Sequence, residues 1–411
     1  MNSIGSRRKV CVVVTARPSY SRVRSVLAAL CHRPDVEMQL VITASALLDR
    51  YGNVSTVIED DGFPITAKVY SIVEGETLVT SAKSTGLGVV ELSSVFDALR
   101  PDVVVTIADR FETLATAVAA SYTNIPVAHL QGGEVTGSID EKVRHAVTKL
   151  ADLHFPSTKL AAENLVRLGE DPEAIYFTGC PSIDIAAQIR DSGDAESFDP
   201  FEQYGGVGAK FSPDEDFVIV MQHPVTTEFS SATAQITATL DAVSRLGIPT
   251  FWFWPNIDAG SDAVSKMIRV YREEGKLNQV HFFRNLRPED FLKLMIRSRC
   301  IVGNSSVSLR EGSFLGVPAV NIGSRQQFRE RGRNVIDVDH DTDEIAKAIK
   351  LQLTRGKYAS DTVYGDGRAG ERIADHLATA PLRIEKVLAY ATEQVSPDAA
   401  NSPRLRSAAV A

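Results

Sequence analysis

The apolar positions of this chain fall into two alternating kinds of run. Short continuous stretches at Lys9–Thr15 (KVCVVVT), Met38–Thr43, Asp102–Ile107, Pro126–Leu130 and Ile175–Thr178 are rich in β-branched residues, the pattern of strands covered on both faces. Between them apolar residues recur at helical spacing: Val23, Val26, Leu27 and Leu30 share one face, and Leu114–Ala120 and Ala161–Leu168 read the same way. Strands alternating with helices predict parallel pairing through helical crossovers. From 191 to 216 the pattern lapses into Gly, Asp, Pro and Ser. It then restarts, with strands at Phe217–Met221, Thr250–Trp254, Val280–Phe283, Cys300–Val302 and Ala319–Ile322. The predicted class is α/β, with two Rossmann-like domains facing a cleft. Their expected bounds are 1–190 and 217–382, joined by a linker at 191–216 and followed by a closing helix at 383–394 and a disordered tail at 395–411.

Composition narrows the class without naming a chemistry. The 411 residues leave room for two cores, and 44% hydrophobic with 23% charged residues is ordinary for a soluble globular chain. No apolar run approaches the roughly 18–20 residues of a membrane helix, and the basic start MNSIGSRRK leads into a run too short for a secretory signal. A cytoplasmic protein with no membrane partner is expected. Cys11, Cys31, Cys180 and Cys300 are scattered without metal-ligand spacing, so neither a metal nor a disulfide framework is expected. A formal charge of -8 argues against nucleic acid. Within this acidic chain, however, Arg284, Arg287, Arg297, Arg299, Arg310, Arg325, Arg329, Arg331 and Arg333 crowd together, which points to an anionic small ligand.

Candidate chemistry gathers where strands end. Ile301–Arg325 (IVGNSSVSLREGSFLGVPAVNIGSR) reads as strand, polar turn, helix, strand, so unpaired N–H groups and a helix dipole could meet a phosphate at Ser305 and Ser306. Glu311 could accept from sugar hydroxyls and Arg325 could pair with phosphate, which suits a nucleotide diphosphate. Ordinary helix capping explains the same Asn and Ser residues about as well. Arg17 and Arg22 follow the first strand, and Asp109, spaced from Glu112 as a capping box, precedes Arg110. Strand Pro126–Leu130 runs into Gln131-Gly132-Gly133-Glu134-Val135-Thr136-Gly137-Ser138-Ile139-Asp140 and then a helix, on which Val143, Val147 and Leu150 mark a buried side and Asp140, Arg144 and Thr148 another face. So many glycine and polar residues at a strand end point to function. Gln222-His223-Pro224 offers a histidine suited to phosphate or general-acid work, or to a buried structural role.

Arg17-Pro18-Ser19-Tyr20, Asp109-Arg110-Phe111-Glu112, GGEVTGSIDE with RHAVTKL, Thr178-Gly179-Cys180-Pro181-Ser182, His223-Pro224, Pro255-Asn256-Ile257-Asp258, Gly303-Asn304-Ser305-Ser306 and Asn321-Ile322-Gly323-Ser324-Arg325-Gln326 occur in one order across roughly Val10–Val338. Together they resemble the hydrolysing UDP-N-acetylglucosamine 2-epimerases. The resemblance implies a GT-B-type fold, no cofactor, a homodimer or homotetramer, and conversion of UDP-N-acetylglucosamine and water to N-acetylmannosamine and UDP. It implies elimination of UDP to a glycal, then hydration with inversion at C2. It assigns acid/base work to Asp109 and Asp140, places His223 near the diphosphate, and gives UDP and sugar contacts to Arg17, Arg22, Arg110, His145, Asn256, Phe291, Ser305, Ser306, Glu311 and Arg325.

Two positions depart from the family pattern. Gln131 stands where characterised members can carry Glu, and Ala44-Ser45-Ala46-Leu47 where many have Gly-x-His-Leu. Both touch the sugar half, with Glu134 an alternative proton carrier in place of Gln131. The alternatives are a 2-epimerase acting on UDP-2,4-diacetamido-2,4,6-trideoxyglucose of legionaminic-acid pathways, a GT-B glycosyltransferase, and a silent nucleotide-sugar binder.

Overall fold

The computed structural model describes residues 7–48, 54–74, 77–136, 139–255 and 261–392. Six parallel strands form the first sheet: β1 (Arg8–Val14), β2 (Val36–Thr43), β3 (Ala67–Val69), β4 (Val103–Ile107), β5 (Val127–Leu130) and β6 (Leu153–Phe155), in the order β3-β2-β1-β4-β5-β6. The unbroken apolar run of β1 has two destinations because successive side chains point to opposite faces. Val10, Val12 and Val14 pack under helix Arg17–Cys31, and Cys11 and Val13 pack against Leu92, Phe96 and Ala117 on the other side.

The second sheet holds β7 (Val207–Gly208), β8 (Val218–Met221), β9 (Thr250–Phe253), β10 (Val280–Phe283), β11 (Cys300–Gly303), β12 (Ala319–Ile322) and β13 (Val335–Val338), in the order β13-β12-β11-β8-β9-β10-β7. All pair in parallel except β7, which runs antiparallel on the edge beside β10. One face packs Trp252, Phe282 and Val302 under helices Ala232–Leu246 and Ser261–Glu273, and the other packs Phe251, Phe253 and Phe283. No helix among the described residues is long and apolar enough to cross a membrane.

Several expectations are corrected. Ile175–Thr178 is not a strand: β6 is only three residues long, so Ile175 makes a single bridge to His154 before the chain leaves toward the second domain. Residues 191–216 carry a short helix, Pro200–Tyr204, and the edge strand β7, and so build part of the second domain. The closing helix is Ala369–Thr379 instead of 383–394: residues 381–388 are not helical, and only Ala389–Thr392 forms a final turn. That helix lies on Arg17–Cys31, where Ile373, Ala374 and Leu377 enter the first domain's core.

The chain therefore passes between the domains twice, and the two passages touch. The Cys180 N–H donates to the Tyr364 carbonyl at 2.7 Å. Gly179 (φ +89°) and Gly365 (φ +127°) face each other there, and a Cβ on Gly179 would stand 3.1 Å from Gly365 Cα. Only glycine allows both the left-handed backbone and that approach. Asp184, on the outgoing helix Pro181–Ser192, accepts from the Ala369 and Gly370 N–H groups at 2.9 and 2.6 Å and so caps the returning helix.

Candidate active site

In an open parallel sheet, neighbouring crossovers that leave to opposite sides open a crevice at the strands' carboxyl ends. The first sheet has its switch between β1 and β4, which lead on to Arg17 and Asp109; the second has its own between β8 and β11, which lead on to His223 and Asn304. Backbone strain marks the first crevice, where Ala108 (φ +68°) and Gln131 (φ +65°) are non-glycine residues held in the left-handed region at the ends of β4 and β5.

Arg144 organises this first crevice. It lies on helix Ile139–Leu150 with a side chain only 1% exposed, pairs with Asp109, and donates to the Glu134 carbonyl and to Glu141, each at 2.9 Å. The helix face expected to be polar is thus a buried one, with Arg144, Val147 and Thr148 inside and Val143 and Leu150 only partly covered. Burial would raise the Asp109 pKa, but Arg144, Arg22 and Arg329 outweigh it and hold the carboxyl well below the usual range. His145 bonds Glu141 at 2.9 Å, which places it one contact away from Arg144.

Glu134 is fixed from the other domain. Its Oε2 lies 2.6 Å from Arg310 Nη2 and 3.3 Å from Arg329 Nη2, all three side chains being buried. Burial alone would raise its pKa; Arg310 and Arg329 lower it instead, which suits a fixed anion better than a proton donor. Gln131 is buried as well, and its Nε2 donates to Cys180 Sγ at 3.1 Å while Oε1 has no protein partner. Arg310 also donates to Cys180 Sγ at 3.4 Å and lies 5.5 Å from the Tyr364 ring centroid.

The second crevice is built around Asn304. Its side chain brackets the His223 backbone, accepting from the N–H and donating to the carbonyl at 2.8 Å each. Its own carbonyl takes Arg325 Nη1 at 3.1 Å and Gln326 Nε2 at 3.0 Å. Burial, reinforced by Arg325, pushes the His223 pKa down to about 3, so the ring is neutral at pH 7. Ser305 and Ser306 follow half-buried, but the expected helix is only a 3-10 turn, Ser306–Ser308, and a single turn, Glu311–Phe314. Four residues sum too few peptide dipoles for the anticipated field. Glu311 keeps a buried Oε2 without a protein partner.

Other candidates lie on the rim. Arg17 donates to the Leu286 carbonyl across the cleft, Arg110 pairs with Glu112 at 3.2 Å, and Phe291 packs edge-on against Phe253 at 5.2 Å. Arg22 counts Asp109, Glu134 and Arg310 among its electrostatic neighbours. Asn256 lies outside the described residues, as does the side chain of Asp140, whose backbone opens helix Ile139–Leu150. Most of the arginine cluster is already paired: Arg287 with Asp61, Arg297 with Asp214, Arg299 with Asp216, Arg331 with Asp337, and Arg310 and Arg329 with Glu134. Arg144 was visible in sequence as a neighbour of Asp140 on one helix face, and only the fold turns that face inward. Among the described residues no group of His, Cys, Asp and Glu could hold a metal ion.

Comparison with known proteins gives a consistent picture. The family model described as UDP-N-acetylglucosamine 2-epimerase matches residues 28–378. A Legionella pneumophila protein named UDP-N,N'-diacetylbacillosamine 2-epimerase (hydrolyzing) is 34% identical, with 92% of this chain and 97% of that protein aligned. A Neisseria meningitidis UDP-N-acetylglucosamine 2-epimerase is 29% identical over 90% of this chain and 94% of its own length. The crystal structure of UDP-GlcNAc 2-epimerase from Neisseria meningitidis bound to UDP-GlcNAc superposes with a TM-score of 0.73 at 18% identity, covering 90% of this chain and 99% of that one. At that identity the superposition speaks for the two-domain fold alone.

Proposed function

We propose that this chain, which belongs to the UDP-N-acetylglucosamine 2-epimerase family, hydrolyses a UDP-2-acetamido sugar and inverts its C2. The observation that carries the proposal is a partly buried carboxylate, Asp109, fixed by the buried Arg144 at one switch point, with the Asn304–His223–Arg325 group at the other. In the first step the C2 proton passes to a carboxylate, its electron pair forms the C1–C2 double bond, and the C1–O bond breaks as UDP leaves. In the second, water oxygen bonds C1 and loses one proton to the site's acid/base groups or solvent, while C2 receives a proton on the opposite face.

Asp109 is ionised at neutral pH and is given the role of base, and a second group must return the proton. We assign that return to Asp140. Gln131 carries no titratable proton and is read as an orienting amide, and Glu134 as a fixed anion. Arg17, Arg22, Arg110, Arg325, Ser305 and Ser306 would receive the departing diphosphate, with neutral His223 donating, and Glu311, with its unspent oxygen, would accept from ribose hydroxyls.

For the sugar, the higher identity to the diacetylbacillosamine enzyme favours a 2,4-diacetamido-2,4,6-trideoxy hexose, with UDP-N-acetylglucosamine as the second reading from the Neisseria relative. The same reading places the protein in the cytoplasm, where its free thiols persist. It also makes the protein a homodimer or homotetramer, and exposed Val79, Val90 and Tyr122 on adjacent helices Leu78–Leu99 and Phe111–Tyr122 supply an apolar face. The test is proton NMR in D2O with each UDP sugar. Release of UDP together with a 2-epimer deuterated at C2 is expected. UDP release without the 2-epimer refutes epimerisation, and no release from either sugar refutes the substrate class.

A further inference from the structure

Around Glu134 the two domains share a buried charge cluster that neither owns. The carboxylate comes from the loop after β5, Arg310 from the segment after β11, and Arg329 from the segment after β12. Beside it Thr158 of the first domain donates to Glu330 of the second, and Tyr364 of the returning passage donates to the Glu330 carbonyl at 2.8 Å. The cluster therefore sits next to the double crossing at Gly179 and Gly365.

The other end of Glu134 reaches the first crevice. Its carbonyl accepts from Arg144 Nη1, and Arg144 Nη2 holds Asp109. A continuous chain of contacts thus runs from Arg310 and Arg329 through both ends of Glu134 to Arg144 and the Asp109 carboxylate. It is also incomplete: Glu134 Oε1, Arg310 Nε and Arg329 Nε are buried atoms without a protein hydrogen-bond partner. Buried charges left partly unsatisfied are costly, so the cluster has capacity to tighten when a ligand or a small shift supplies the missing partners.

We propose that Arg310 and Arg329 are positioning residues: acting from the second domain through Glu134, they hold the Gln131–Thr136 loop and the Arg144–Asp109 pair in reacting geometry. This rests on the reading of the protein as a UDP-sugar 2-epimerase. The arginines touch neither substrate nor reacting atoms in this account. Losing them should lower kcat and leave nucleotide affinity nearly unchanged, because misplacing a reacting group by about 1 Å costs about 100-fold in rate.

The test compares wild type with Arg310→Met, Arg310→Lys and Arg329→Gln in three measurements: kcat and KM for the UDP sugar, UDP binding by calorimetry, and hydrogen exchange of the 131–136 amides with UDP bound. We expect Arg310→Met to lose about 100-fold in kcat with UDP Kd within about 3-fold, and its loop amides to exchange at least about 10-fold faster. Arg329→Gln, which keeps the Arg310 bond, should show the same split at about 10-fold in kcat, and Arg310→Lys should recover part of the loss. A fall in UDP affinity equal to the fall in kcat would make the arginines nucleotide ligands and overturn the proposal. Unchanged loop exchange would overturn it as well. Should Arg310→Met fail to fold, the Arg329→Gln split decides. If wild type releases no UDP from either sugar, the epimerase reading fails, while the exchange measurement still judges the loop coupling.

Discussion

Replacing Arg144 by Met isolates the part of the site that holds Asp109. Met keeps an unbranched side chain of similar reach in the buried position but removes the bonds to Asp109, to Glu141 and the Glu134 carbonyl at 2.9 Å, and to Thr136 Oγ1 at 3.3–3.4 Å. Removing one partner of a buried pair leaves the other charge uncompensated and costs about 3–5 kcal/mol. Arg22 and Arg329 still act on Asp109, so the lower end, about 3 kcal/mol, is expected. For domains of this size that lowers Tm by roughly 6–12 °C. The second consequence concerns protonation. Without Arg144 the Asp109 pKa rises, and the acid limb of the kcat/KM profile should move to higher pH. Urea unfolding at pH 7 and a pH–rate profile on the same preparation supply both numbers. A stability loss below about 1 kcal/mol together with an unmoved acid limb would show that Arg144 does not hold Asp109 as described.

Acid should unfold the protein early. His129 and His223 have pKa values pushed by burial to about 3, so below the unfolded value near 6.5 each binds a proton only when unfolded. Stability is then full above about pH 6.5 and falls as pH drops toward 3, by up to about 1.4 kcal/mol per pH unit for each histidine; a urea midpoint constant from pH 7 to 5 would contradict this. Gly303→Ala should abolish UDP binding in calorimetry or prevent folding, because at φ +130° a Cβ would run into the Met221 carbonyl where β8 and β11 meet; a variant with wild-type UDP affinity and Tm would remove the reason for glycine there.

The central strands were legible because a parallel strand buried on both faces must be apolar at consecutive positions, as β1 and β4 are. The same signal misled at Ile175–Thr178, an apolar run with only a three-residue strand beside it. Periodicity identifies helix Ala369–Thr379 as amphipathic, but its partner is more than three hundred residues earlier in the chain, and no local pattern encodes which core receives it. At the site, the glycine-rich loop after β5 and the polar turn after β11 stood out because strand ends in such sheets have few packing reasons to be polar. The arginine cluster pointed to an anionic ligand, but charge counting in sequence cannot show that Arg287, Arg297 and Arg331 pair with Asp61, Asp214 and Asp337. Arg144 was visible on its helix face, but its burial was not, since a buried arginine reads in sequence as an exposed one.

The returning helix has a consequence for synthesis. Helix Arg17–Cys31 offers its surface to Ala369–Thr379, so the first domain leaves the ribosome with that surface uncovered and cannot finish its core until residues 369–379 have been made. At translation rates of about 5–20 residues per second that wait is on the order of tens of seconds. The sheet strands of the second domain, all between Val207 and Val338, emerge in the meantime. The domain begun first is therefore the one completed last, and for that interval its open face is exposed to chaperones and to neighbouring chains.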